Sequence, residues 1–140
     1  MRVVLDTTTL ISAFISKQGY PYKAVDLWFQ KEYTLVTSTW QIDELKDVTR
    51  RDRIKALVNA QEVGRFVNLL RDKAIVLEKL SEVEHSPDPN DNPILAAAID
   101  AQVQYVVSGD KGDVLALEKV EGIPIITARE FAHLFMKHES

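Results

Sequence analysis

The sequence of 140 residues contains no cysteine, so disulfides and thiolate metal sites are both impossible and a small secreted fold stapled by disulfides is excluded. A reducing, cytoplasmic setting is the expectation. Long apolar runs are also missing. Met1-Arg2-Val3-Val4-Leu5-Asp6 reaches charge too soon for the apolar stretch of a signal peptide, and no later run approaches membrane-spanning length. A soluble protein with no membrane partner is expected. There is no internal repeat, low-complexity tract or glycine-rich phosphate loop. Histidine is scarce, with three residues, and His85, His133 and His138 read as surface positions, so zinc has neither of its preferred ligand types. Positive charge is in deficit: 17 Lys and Arg stand against 21 Asp and Glu, a net charge of −4. Such a balance argues against a protein that coats nucleic acid through bulk electrostatics.

What is present suffices for one compact unit. At 46% hydrophobic the chain can bury a substantial core, and residues 1–136 are expected to form a single domain, with 137–140 as a C-terminal tail. Five short apolar runs read as strands: Arg2–Leu5, Tyr33–Thr37, Ala74–Leu77, Gln104–Ser108 and Pro124–Thr127. They are nearly continuous rather than alternating, as strands covered on both faces should be. Between them Ala24, Leu27 and Trp28, and then Val63, Phe66, Val67 and Leu70, recur at helical spacing. Alternating strands and helices predict an α/β fold of three α/β/α layers around a parallel sheet built from right-handed crossovers. Ser38 followed by Gln41 fits a capping box. Pro93, with Asp91 or Asn92 just before it, fits the start of a strongly apolar helix through Ile94, Leu95, Ala97, Ala98 and Ile99. The stretch Leu80–Pro93 is the one long polar segment, and loops of that length are commonly functional or disordered.

Four acids stand behind these elements. Asp6 follows the first strand, Glu44 lies in the helix after the second, Asp91 sits in Asp88-Pro89-Asn90-Asp91-Asn92, and Asp110 follows Ser108-Gly109 after the fourth strand. Parallel strands would gather all four at one sheet edge, where open α/β sheets bind ligands. Each also has a local reading: Asp6 or Asp91 as a helix cap, Asp88 as a turn residue, Glu44 as an acid favoured by a helix dipole. Together they would repel unless cations lay between them, and an all-oxygen site suits Mg2+ or Mn2+. Carboxylate-held metal can activate water and offset charge on a phosphoryl group. A haloacid-dehalogenase-type phosphatase would need Asp where Thr8 stands. A phosphoacceptor receiver domain would need an Asp closing the third strand and an acidic pair near the start, which this chain lacks.

Leu5-Asp6-Thr7-Thr8-Thr9-Leu10-Ile11-Ser12-Ala13, Glu44-Leu45, Asp88-Pro89-Asn90-Asp91-Asn92, Val107-Ser108-Gly109-Asp110-Lys111 and Ile123–Phe131 follow one another in an order and spacing that resemble the PIN-domain family of metal-dependent ribonucleases. The resemblance implies a five-stranded parallel sheet ordered 3-2-1-4-5. It implies Asp6, Glu44, Asp91 and Asp110 as catalytic acids. Asp6, Asp91 and Asp110 would bind one or two Mg2+ or Mn2+ ions, and Glu44 would orient a ligand or water. Thr8, Ser108, Asp88 and Asp113 are candidates for supporting groups. At Thr8 the family often has Asn or Ser, and Gly112 precedes Asp113 where a further Asp is common earlier.

The implied activity is hydrolysis of RNA phosphodiester bonds by an endoribonuclease, with Lys46, Arg50, Arg51 and Arg53 as candidates for contacts to the RNA backbone. Small members of the family are often toxins of toxin–antitoxin pairs, dimeric or higher, each inhibited by a small DNA-binding partner. The alternative is a PIN-like module without catalysis that binds RNA or protein. Trp28, Phe29 and Trp40 are core residues or, less often for such aromatics, a contact for a second copy or partner.

Overall fold

The structure is a computed structural model and describes residues 1–86, 88–108 and 113–136, with the Asp113 side chain outside the description. The expected tail, 137–140, also falls outside it. In chain order the elements are β1 (Arg2–Leu5), α1 (Thr7–Ile15), α2 (Tyr20–Phe29), β2 (Thr34–Ser38), α3 (Thr39–Thr49), α4 (Asp52–Lys55), α5 (Ala60–Lys73) and β3 (Ile75–Leu77). A 3-10 turn (Pro89–Asp91) then leads into α6 (Asn92–Asp100), followed by β4 (Tyr105–Val107), α7 (Asp113–Ala116), β5 (Lys119–Val120), β6 (Ile123–Ile126) and α8 (Ala128–Met136).

Among the described residues the strands form one six-stranded sheet in the order β3-β2-β1-β4-β6-β5. The first five are parallel neighbours, and they reproduce the 3-2-1-4-5 order once the strand expected at Pro124–Thr127 is recognised as β6. The sixth strand corrects the expected count of five. Lys119 and Val120 pair antiparallel with Pro124 and Ile123, leaving Glu121 and Gly122 as a two-residue loop. Both have positive φ, 45° and 81°, the geometry of a hairpin turn that matches strand twist. A Glu-Gly pair is a weaker turn signal than Asn-Gly, so the short edge strand escapes a reading by pattern.

Both faces of the sheet are covered, which explains the unbroken apolar strands. Val3 and Leu5 of β1, Leu35 of β2 and Val107 of β4 join one core with residues of α1, α2, α3, α5 and α8. Val4, Val36 and Val106, one residue out of phase, join a second core with Ile94, Leu95, Ala97 and Ala98 of α6. Small residues along α6 let that helix lie close to the central strands. Trp28 is buried, Trp40 packs half-buried against the second core, and Phe29 is 44% exposed. Tyr33 is buried with its hydroxyl donating to the Ala24 carbonyl at 2.7 Å, and burial pushes its pKa up. No described helix is long and apolar enough to cross a membrane.

Helix starts follow their capping residues. The Asn59 Oδ1 accepts from the Gln61 and Glu62 amides at 2.9 and 3.1 Å and opens α5. The buried stripe of α5 is Val63, Phe66, Val67 and Leu70. One residue of this helix has no packing explanation. Gly64 is exposed, and a Cβ placed there would meet no atom within 4 Å. A glycine inside a helix costs about 1 kcal/mol relative to alanine. Gly64→Ala is therefore expected to raise the unfolding free energy by about 1 kcal/mol in urea titrations at an unchanged slope, and an unchanged or lower midpoint would show that the glycine relieves a strain elsewhere.

Candidate functional site

The register of β1 against β4 sets the site. Leu5 pairs with Val107, the Asp6 amide donates to the Val107 carbonyl at 2.9 Å, and the Ser108 amide donates to the Ile126 carbonyl at 2.9 Å. Asp6 and Ser108 thus leave the carboxyl edge of the sheet side by side. The Ser108 hydroxyl donates to Asp6 Oδ2 at 2.7 Å. Oδ1 of the same carboxylate accepts from the Thr9 amide at 2.8 Å and caps α1. The capping reading and the site reading of Asp6 are therefore both true. Asp6 is only 7% exposed, and bonds from neutral donors to an ionised carboxylate offset the loss of hydration.

Glu44 reaches the same place from α3. It is half-buried, and its carboxyl pKa is raised, first by burial. A hydrogen bond from the Thr7 side chain lowers it, Asp91 raises it, Arg51 lowers it and Asp6 raises it. Carboxylates from three separated stretches of sequence therefore act on one another at this edge. Thr7 is buried while Thr8 is exposed, so the hydroxyl next to Glu44 belongs to Thr7 and not to the residue that the motif alone singles out.

Asp91 ends the 3-10 turn and precedes α6 without capping it. Its Oδ2 accepts from the Ser86 hydroxyl at 3.3 Å. The Ser86 amide in turn donates to Asn92 Oδ1 at 2.9 Å, so the loop ahead of α6 is tied to the residues it presents. Asp88 does local work: its Oδ1 accepts from the Asn90 amide at 3.0 Å and opens the turn. Among the described residues the charges that act on Glu44 are Asp91, Arg51 and Asp6, and Asp88 is not one of them. Asp110 and the side chain of Asp113 lie outside the described residues.

Gln41 is the residue that pattern reading assigned differently. The Ser38 hydroxyl does accept from the Gln41 amide at 3.1 Å, which is one half of a capping box. The Gln41 side chain does not return to the cap. It is 2% exposed, its Oε1 accepts from the Thr37 hydroxyl, and its Nε2 donates to the Leu5 carbonyl at 2.8 Å and approaches Thr7 Oγ1 at 3.5 Å. One amide thus joins β1, β2, α1 and α3 directly behind Asp6 and Glu44. The available signal was its place one turn before Glu44 on the buried side of the helix.

Of the four cations expected to meet a nucleic-acid backbone, Arg50, Arg51 and Arg53 are exposed and Lys46 is half-buried. Arg51 pairs with Asp47 at 3.1 Å and is the one whose charge reaches Glu44. Lys46 and Arg50 turn instead toward α5, where both line a groove.

Among the described residues no three Asp, Glu or His side chains stand close enough together to hold a metal ion. The chemistry of the donor set nevertheless fits a hard cation: Asp6, Glu44 and Asp91 offer carboxylate oxygen, Thr7 and Ser108 hydroxyls adjoin them, and no sulfur or imidazole competes.

A family model for the PIN domain matches residues 2–112. The chain belongs to the PIN domain family. That match spans Asp6, Glu44, Asp91 and Asp110. The PIN domain described here is also similar to an uncharacterized protein of Methanocaldococcus jannaschii, 26% identical over 147 residues that cover 98% of this chain and 93% of the relative. PIN domains are generally nucleases and typically use divalent metal ions.

The raised Glu44 carboxyl gives this PIN domain a pH signature. A folded-state pKa above the unfolded value means that stability is fully present below the unfolded carboxylate range, about 4.3 for Glu, and is lost as pH rises through the folded value. With chelator present, Glu44→Gln is expected to gain stability over the parent as pH rises from about 4 toward neutral. Urea midpoints measured across that range check this, and parallel curves for the two proteins would contradict it.

Proposed function

We propose that this PIN domain is a metal-dependent endoribonuclease that hydrolyses RNA phosphodiester bonds with Mg2+ or Mn2+. The observation that supports the reading is that Asp6, at the carboxyl edge of the sheet, and Asp91, ahead of α6, both lie near enough to Glu44 to raise its pKa. Asp6 and Asp91 would hold the ion, joined by Asp110. Such an ion supplies the charge that makes a water nucleophilic and offsets the charge growing on the phosphoryl oxygens. The rest is the work of the chain. Ser108 and the Thr9 amide fix the Asp6 carboxylate in one orientation, and Ser86 steadies Asp91. Glu44, whose raised pKa favours proton uptake, orients a water or a ligand, while Thr7 holds its carboxyl in place. Lys46, Arg50, Arg51 and Arg53 supply contacts to the RNA backbone.

A toxin role in a toxin–antitoxin pair, with a small DNA-binding partner, a homo-oligomeric assembly and a cytoplasmic location, completes the reading at family level. Phe29, exposed beside Trp28 and Phe66, is the aromatic best placed for such a partner. The second reading is a binding module without catalysis. It is favoured by one observation, that no three described acids close into a metal cage.

Asp6→Asn separates chemistry from folding cleanly, because asparagine caps a helix about as well as aspartate. Its expected outcome is loss of manganese-dependent cleavage of a mixed RNA pool by at least about a hundredfold, the scale on which one electrostatic group acts in catalysis, with the fold intact by circular dichroism. Equal cleavage by parent and variant would sink the mechanism. Titration with manganese divides the two readings: the nuclease binds the ion and Asp91→Asn weakens it at least about tenfold, on the order of the loss when a metal site is disturbed. RNA binding that is indifferent to chelator, without cleavage, is the behaviour of the module.

A further inference from the structure

We propose that the groove between α3 and α5 binds one nucleotide of a single RNA strand, at a site separate from the carboxylates; that the anion is RNA rests on the nuclease reading above. The groove encloses about 380 Å³, within the range of about 300–1,000 Å³ typical of small-molecule sites. Lys46 and Arg50 of α3 and Arg71 of α5 line it together with Thr49 and Asn68, the buried Val63 and Val67 close its floor, and no acidic residue contributes. Among the described residues none of these three cations forms an ion pair. In a chain of net charge −4, three cations around one hollow with no acid in its lining are a selective feature, and they match a phosphodiester chain.

Gly64 supplies an independent observation. It also lines the groove, and a Cβ there would meet nothing within 4 Å, so the glycine keeps open a space that any larger residue would enter, although it weakens α5. The cations track a phosphate backbone, the electrostatic part of single-strand recognition, which tolerates any sequence. A hollow of about 380 Å³ admits a group of small-molecule size and not a duplex. An acidic peptide would satisfy the same charges, and polyglutamate is therefore an arm of the test. Position along α3 links the two sites: Glu44 is on one side of this helix and Lys46, two residues on, is about 200° around it. A strand seated in the groove therefore passes one helix width from the carboxylates.

The test is fluorescence anisotropy with a short labelled single-stranded RNA in EDTA, so that no cleavage enters the measurement. Gly64→Leu, which fills the hollow, is expected to weaken binding about tenfold or more while melting at or above the parent temperature. Gly64→Ala stiffens the same helix with little filling and is expected to bind within about twofold of the parent. Arg71→Gln is expected to lower the slope of log K against log salt by about 0.7, the share of one phosphate contact on a single strand. Undiminished binding by Gly64→Leu would overturn the proposal, as would equal losses for Ala and Leu, or tighter binding of duplex RNA or polyglutamate than of the single strand. The two readings fail separately. A parent that never cuts with manganese, yet loses RNA when Gly64 becomes Leu, removes the nuclease and keeps the groove. A parent that cuts, with Gly64→Leu binding and cutting normally, removes the groove and keeps the nuclease.

Discussion

Leu5 faces Val107 across the β1–β4 ladder, and because the two strands run in step, Asp6 and Ser108 emerge together at the carboxyl edge. Everything else at the site is arranged around that pair. Asp6 spends one oxygen on the first turn of α1 and the other on the Ser108 hydroxyl, so helix start, strand register and carboxylate orientation are fixed by one side chain. Hydrogen bonds to a charged group are worth about 1.5–3 kcal/mol each. Two of them hold the almost buried Asp6 carboxylate in one orientation, and a slip of one residue in the register would lose the Ser108 bond.

The carboxylates around Asp6 work against the stability of the fold. Glu44 is partly desolvated and feels both Asp91 and Asp6, interactions that favour its neutral form and that a fold selected for stability alone would remove. The cluster is braced from behind. Gln41 links β1, β2, α1 and α3 through one buried amide, and Thr7 holds the Glu44 carboxyl by a hydrogen bond. Repelling carboxylates at one edge, held by hydrogen bonds from behind, are what a preorganised site requires. Behind the same edge the Thr9 hydroxyl is buried without a partner, a further small loss of stability at this corner of the molecule.

The parallel core was legible because its physics is local. Val3, Leu5 and Val107 face one core while Val4 and Val106 face the other, and strands buried on both sides must be apolar throughout. Asp6, Glu44 and Asp91 could be brought together on paper because each follows an element whose direction the alternation of strands and helices fixes. Phase within a helix is harder to read. Whether Thr7 or Thr8 turns inward depends on where Asp6 starts the first turn, and adjacent residues differ by about 100°. Gln41 satisfied a capping pattern with its amide and used its side chain elsewhere, a division that no spacing rule records. The hairpin at Glu121-Gly122 rests on a non-glycine residue with positive φ, which the sequence signals only weakly. Asp110 and Asp113, equally visible as letters, have side chains beyond the described structure.

Helix α3 explains how an acidic protein can hold carboxylates and cations on one short element without one cancelling the other. Counting about 100° per residue from Glu44, Arg51 returns to within about 20° of it, whereas Lys46 and Arg50 fall near about 200° and 240°. Arg51 accordingly acts on Glu44, yet its ion pair with Asp47 ties it to the surface and leaves the site net negative. Lys46 and Arg50 face α5, on the far side of a helix about 10 Å across, roughly one Debye length at 0.1 M salt. That separation weakens their hold on the carboxylates, and neither is among the described charges that shift Glu44. The alternation of acids and bases along α3, which as a sequence reads as an ordinary solvated surface, resolves into two opposed faces once the helix is seated between α1 and α5.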